Sequence, residues 1–316
     1  MNSNAAYLGI DIGGTKCAVL LGTADGKIID KTSFPTEEHL GPDPAIAKLL
    51  SSAEKIISRH GIKPQAIGIS CGSPLDPDRG IIQSPPNLPS WKDIEIVKIF
   101  RDRFAAPAFL DNDANAGALA EFSFGAGRGF KNIVFITFGT GCGAGLILDG
   151  RIYRGTNCYA GEIGHIRLEK DGPVGYHKKG SMEGFCSGGG LAQLAVMMRD
   201  GFRGKTVLGA ASTAAEIGRA AECGDEFAIK ILEYSGEMFG RGLACLLDII
   251  NPERILVGSI FLRCERFIRP AMERTLKEES LPYTYGVCQV LPVGLGEQIG
   301  DFAAVSIAHY GIEHAK

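Results

Sequence analysis

Apolar and polar positions alternate along the chain in two rhythms, short runs typical of strands and longer amphipathic stretches typical of helices. Tyr7 to Gly22 reads as strand, break, strand: an apolar run holding Asp11, the pair Gly13-Gly14, then a second apolar run from Cys17. Asp25-Gly26 follows as a hairpin turn signal, and Lys27 to Phe34 resumes as a strand. Pro44 to His60 carries Ile46, Leu49, Leu50, Ala53, Ile56 and Ile57 at helical spacing, and Gly61 ends it. Ala66 to Ser70 is a short buried strand. Cys71 to Trp91, rich in Pro and Gly, has no period and reads as a long loop, of the kind that is usually functional or disordered. Ile94 to Phe104 predicts a helix and Ala108 to Leu110 a strand. Asp111-Asn112-Asp113 then opens an alanine-rich helix reaching about Glu121.

Ile133 to Phe138 starts the same pattern again. A strand, the cluster Gly139-Thr140-Gly141-Cys142-Gly143, a strand to Leu148, the turn Asp149-Gly150 and a third strand from Arg151 repeat the form of the N-terminal region. The glycine clusters and the Asp-Gly turns are almost equally spaced, which argues for two related lobes with a cleft between them. After Gly188-Gly189-Gly190 the chain turns mainly helical: Leu191 to Asp200, Ser212 to Glu222 and Asp225 to Ile250. Asn251-Pro252 breaks the last of these. A strand at Arg254 to Val257, a helix at Phe261 to Glu279, a strand near Val287 to Leu291 and a helix at Asp301 to Gly311 complete an α/β reading. A smaller α/β domain is expected over 1–112 and a larger one over 113–299, with the C-terminal helix 300–316 packing back on the first.

Composition narrows the partners. The 316 residues include 43 glycines, about twice the usual ~7%. They have no collagen period, and an abundance of aliphatic residues excludes a disordered chain. Net charge is -3, so nucleic acid and anionic membrane are not expected partners. The longest uncharged run in the middle, Ile133 to Leu148, is too short and glycine-rich to span a bilayer. The first residues show no basic segment before an apolar run, so no export signal is expected. Nine widely spaced cysteines without a CxxC pair argue against disulfides and a four-cysteine metal site, and for a reducing cytoplasm.

A strand ending in Asp-x-Gly-Gly-Thr can turn several backbone N–H groups toward one anion. Gly13 and Gly14 would let a phosphate approach, Thr15 adds a hydroxyl and Lys16 a charge, and Asp11 is suited to hold Mg²⁺ through water. Gly139, Thr140 and Gly141 form the matching loop. Either loop equally suits a glycine bulge in a hairpin, and neither has Walker A or Rossmann spacing. Asp113 is a carboxylate at a helix N-terminus. That fits an N-cap, and it also fits a base for a hydroxyl attacking a phosphoryl group.

Asp11-Ile-Gly-Gly-Thr-Lys16, the Gly139-Thr140-Gly141 loop and Gly161-Glu162-Ile-Gly-His165 resemble the ROK family of repressors and kinases, over nearly the whole chain. The resemblance implies a two-lobed actin-like ATPase (ribonuclease H-like) fold with a duplicated β-hairpin/α core, ATP in the cleft and a hexose beside it. It also implies Asp113 as catalytic base, and Asn87, Asn112, Glu162, His165 and Glu183 as sugar ligands. Gly258 would contact adenosine, and a homodimer is expected. The family's zinc cysteines are replaced by Val174, Tyr176 and Ser181, so no structural zinc is expected. The expected function is ATP-dependent phosphorylation of a glucose-like sugar or N-acetylhexosamine. The alternative is a catalytically impaired sugar sensor or regulator without a DNA-binding domain, since the ten residues before Asp11 are too few for a helix-turn-helix.

Overall fold

A computed structural model of the chain describes residues 5–314. These divide into two compact units: 5–129, 152–158 and 297–314 in the first, and 130–151 and 159–296 in the second.

The first unit is built on strands β1 (Ala6–Ile12), β2 (Lys16–Thr23), β3 (Ile28–Pro35), β4 (Ala66–Cys71), the minor pair β5 (Leu75–Asp76) and β6 (Ile81–Ile82), and β7 (Ala108–Asn112). Its main sheet runs β3-β2-β1-β4-β7, with β1 antiparallel to β2 and parallel to β4. Helices α1 (Pro42–His60) and α2 (Ile96–Phe104) lie between successive strands, and α3 (Asp113–Phe124) follows β7. Gly61 ends α1 in the left-handed region, at φ 60°. The apolar residues of β1, β2, β4, α1 and α2 form a continuous core that includes Trp91 and Phe100.

The second unit repeats the plan. Its strands are β8 (Ile133–Phe138), β9 (Cys142–Leu148), β10 (Arg151–Tyr153, of which 152–153 count with the first unit), the small hairpin β11 (Val174–Gly175) and β12 (Lys178–Lys179), β13 (Arg254–Ser259) and β14 (Gln289–Pro292). Its main sheet runs β10-β9-β8-β13-β14, with β8 antiparallel to β9 and parallel to β13. Counting strands from the start of each sheet, both have the order 3-2-1-4-5, so the repeat read from glycine loops and turns is one of topology. The turn Asp149-Gly150 has both residues at positive φ, 49° and 76°, as a two-residue primed hairpin requires. Helices α4 (Met182–Phe185), α5 (Gly188–Arg199), α6 (Ala214–Glu222), α7 (Glu226–Ile250), α8 (Ile260–Glu279) and α9 (Pro282–Tyr285) pack around this sheet. Gly236 and Gly240 let α7 lie directly on α8: added Cβ atoms there would sit 2.4 and 2.6 Å from the carbonyls of Ile268 and Met272.

The last helix, α10 (Ile299–His314), returns to the first unit, where it packs on α3, β1 and β4. It is buried from Ala303 to Tyr310. Gly9 and Gly68, paired across β1 and β4, make that approach feasible. A Cβ on Gly68 would lie 2.0 Å from the Ala304 carbonyl, and one on Gly9 2.9 Å from Val305. Because α3 packs against α10 and β4, it belongs with the first unit. The unit's edge therefore falls at Gly129, whereas the sequence reading drew it before Asp113. Much of the glycine excess serves such close approaches and not a ligand.

Candidate active site

In the first unit the turn between β1 and β2 closes when Gly13 N–H donates to the Lys16 carbonyl at 3.1 Å. Thr36 clasps it, donating from N to Thr15 O (3.0 Å) and from Oγ1 to Gly13 O (2.5 Å). A Cβ on Gly14 would lie 2.6 Å from Asn87 Cβ and 2.7 Å from its carbonyl, so the Pro85–Leu88 loop rests directly on this turn. The missing side chain at Gly14 is thus already accounted for by a protein contact. Turn, loop and the end of β4 enclose a cavity of about 160 Å³ lined by Asp11, Gly13, Gly14, Ser70, Asn87 and Asp113, among others. Thr15 and Lys16 are exposed and lie outside that lining.

The corner between β7 and α3 places Asp113. Asn112 is the N-cap: its Oδ1 accepts the Asn115 N–H at 2.7 Å. The capping duty that spacing allowed Asp113 falls to Asn112, which engages one lone pair of its Oδ1. Asp113 is the first helical residue; its Oδ1 accepts the Ala114 N–H at 2.9 Å, and its own backbone N–H also bears on the carboxylate. Asp113 is exposed where it opens to the cavity, yet the protein packed around its carboxyl raises its pKa against the lowering pull of the Ala114 N–H and of its own N–H. Burial also pushes Asp11 up to about 6, with Lys16 opposing and Asp113 adding to the rise. The oxygen-only chemistry of Asp11 fits a hard cation.

Sequence reading missed what holds this corner. Asp111 is fully buried, and Arg154 donates to its Oδ2 through Nε (2.9 Å) and Nη2 (2.6 Å). Asn115 Nδ2 (2.7 Å) and Asn112 N (2.9 Å) donate to Oδ1. No local signal joins Asp111 to an arginine 43 residues away.

In the second unit the glycine loop between β8 and β9 is closed by Gly139 N–H to Gly141 O (3.0 Å), and Gly188 N–H donates to Gly139 O (2.8 Å). A cavity of about 590 Å³ adjoins it, lined by Gly139, Thr140, Gly188, Ala214, Arg219, Ser259, Ile260 and Arg263, among others. The first residues of α5, α6 and α8 all line it, so three helix N-termini and two arginines face one space; the Glu222 carboxylate, paired with Arg266, also lines it, and the balance favours an anion. Gly258 is buried and not in this lining; its neighbour Ser259 is. Gly141 faces Glu183: a Cβ there would lie 2.9 Å from Oε2, which accepts the Cys142 N–H at 3.0 Å.

The Gly161–His165 segment lies on β9. Gly161, at φ 94°, and Gly164 would place Cβ atoms 1.9 and 2.0 Å from the carbonyls of Ala144 and Cys142. Glu162 and His165 are exposed, and Glu183 is half-buried. The donor set beyond His165 does not fit zinc. Val174 has no donor atom, and the buried Ser181 hydroxyl caps α4 by accepting the Gly184 N–H at 3.1 Å. Protein contacts hold the segment in this chain. Lys178 Nζ donates to His165 O (2.7 Å), and Gln193 grips Val174 through N (2.8 Å) and O (2.9 Å). The described residues contain no group of three His, Cys, Asp or Glu side chains placed to hold a metal ion.

Paired glycine turns on two sheets of one topology define an α/β protein of the actin-like ATPase fold. The ROK family model matches residues 7–310, and the chain belongs to the ROK family. A glucokinase from Halalkalibacterium halodurans is 33% identical, over 81% of this chain and 80% of its own. The structure of a ROK family glucokinase from Streptomyces griseus in complex with glucose and AMPPNP is 28% identical, with a TM-score of 0.77, covering 97% of this chain and 100% of that one. A xylose repressor from Bacillus spizizenii is 27% identical, over 99% of this chain and 79% of its own.

Proposed function

We propose that this protein is a sugar kinase that transfers a phosphoryl group from ATP to a hexose, glucose-like or an N-acetylhexosamine. The observation that carries the reading is the cavity of the first unit, where the Asp113 carboxylate, one oxygen of it fixed by the Ala114 N–H, stands beside Asp11, Gly13 and Asn87. Asp113 accepts the proton of the attacking sugar hydroxyl through Oδ2, while Ala114 N–H fixes the other oxygen. Asn112 Nδ2 and Asn87 orient the sugar through its hydroxyls, while Glu162, His165 and Glu183 stay the sugar ligands that the family resemblance implies. The nucleotide occupies the cavity of the second unit, its phosphates drawn by the helix N-termini, Thr140 and the glycine loop. Mg²⁺, held by Asp11 through water, offsets phosphate charge when bound. Glucokinases among the relatives support this reading, and a cytoplasmic homodimer goes with it.

A coupled assay of aldohexoses with ATP tests it. Asp113→Ala is expected to lower kcat by about 10²–10⁴ and leave AMPPNP affinity intact. The base must be ionised, so kcat/KM falls as pH drops through its pKa. The raised pKa places that acid limb above the ordinary carboxylate range. Folded protein that binds AMPPNP yet turns over no aldohexose would instead favour a sugar sensor. That second reading is supported by the repressor relative.

A further inference from the structure

We propose that Arg154, acting through Asp111, is a positioning residue for the catalytic corner; this rests on Asp113 being the base. Asp111 has no exposed surface, and four donors occupy its carboxylate. Two of them, Asn112 N and Asn115 Nδ2, belong to the turn that sets Asn112 and Asp113. The other two come from one guanidinium on the 152–158 segment. Arg154 is thus the only partner of Asp111 in this set that lies outside the turn.

The segment is itself fixed, since Ile152 N–H donates to the Tyr310 hydroxyl of α10 at 3.1 Å. Strand pairing supplies a second constraint: Asp111 and Asn112 lie in register with Ser70 and Cys71 of β4. Pairing sets where β7 ends. The Asp111 carboxylate sets how the chain turns there, because Asn112 N and the Asn115 side chain both converge on Oδ1. Without the guanidinium, Asp111 Oδ2 loses both its donors and the carboxylate is free to rotate. Such rotation releases Asn112 N and Asn115 Nδ2, so Asp113 Oδ2 and Asn112 Nδ2 lose their fixed direction. Arg154 does not act by its charge on Asp113, whose pKa shift arises from burial and local N–H groups. The planar fork, and not the positive charge alone, does the positioning, which sets arginine apart from lysine.

The test compares Arg154→Met and Arg154→Lys with the parent and with Asp113→Asn, in hexose phosphorylation well below the unfolding temperature. Arg154→Met is expected to lose about 10²-fold in kcat, the size of effect that slight misplacement of a reacting group produces. KM for ATP and the pKa of the acid limb stay at parent values. Added guanidinium ion is expected to restore part of the lost kcat in Arg154→Met, and none in Asp113→Asn. Arg154→Lys keeps the charge and loses the fork, so its kcat is expected to stay below that of the parent. It also serves where Arg154→Met fails to fold. Parent kcat in Arg154→Lys, or in a folded Arg154→Met that has only lost thermal stability, overturns the proposal. If Asp113→Asn turns over hexose as fast as the parent, the underlying reading fails and Arg154 is not at issue.

Discussion

Asp11, half-buried, and Asp113, exposed at the opening, line one small cavity, and desolvation by the protein packed around each carboxyl is the chief cause that raises its pKa. For Asp11 the rise is from 3.8 to about 6, so the folded state binds more protons than the unfolded chain between those values. Its contribution to stability is therefore most favourable below pH 3.8 and declines as pH rises through 6. At pH 7 the buried charge costs up to about 3 kcal/mol, taking 1.36 kcal/mol per pKa unit. Asp11→Asn is expected to raise the urea midpoint at pH 7 without Mg²⁺, and to leave it unchanged below pH 4. A stabilisation that persists unchanged into acid would show that packing, not ionisation, separates the two side chains. The same variant is expected to impair phosphorylation, making Asp11 a residue kept against stability.

At the scale of elements, the hairpins, α1, α7 and the repeated topology were legible because their signals are local. Helical spacing runs up to a glycine or Asn-Pro stop, and Asp-Gly marks a turn. The minor hairpin β11–β12 was not legible. Its two turn residues, Tyr176 (φ 40°) and His177 (φ 64°), sit in the left-handed region, uncommon for a bulky residue such as tyrosine, and the hairpin is held by distant partners such as Gln193 on Val174. The four-residue helices α4 and α9 are too short for periodicity to register. Of the site, Asp11, Asp113, Asn87 and both glycine turns could be picked out by motif. Asp111, Asn115 and Arg154 could not, since only the folded chain brings them together.

Glycine shows the same division between local and tertiary causes. Gly61 is required by its φ of 60°, with open space where a Cβ would go. Gly68 is required because α10 lies on it. Gly61→Ala is expected to cost about 1 kcal/mol, the penalty of a left-handed alanine. Gly68→Ala is expected to cost roughly 3 kcal/mol, at the top of the range for overpacking, because the clash is with backbone. Urea unfolding of the two variants separates these causes, and equal costs would show that α10 can yield at Gly68.

On the scale of the whole molecule, each unit has its own buried core: one spans the β8–β13 sheet and α7, another β1, β4 and α1. Units with separate cores can open separately, so ligand protection should follow the unit that carries the contacts. Every residue lining the 590 Å³ cavity belongs to the second unit. Hydrogen exchange with saturating AMPPNP and no sugar is therefore expected to slow the first turns of α5, α6 and α8 and the Gly139–Gly141 loop. Nucleotide at about 100 times its Kd adds roughly 2.7 kcal/mol to the opening free energy of the unit it binds, close to a hundredfold in exchange through that opening. The sheet β3-β2-β1-β4-β7 should exchange at its unliganded rate. Protection confined to that sheet would move the nucleotide out of the helix-ringed cavity and onto the first glycine turn, reversing the assignment of the two cavities.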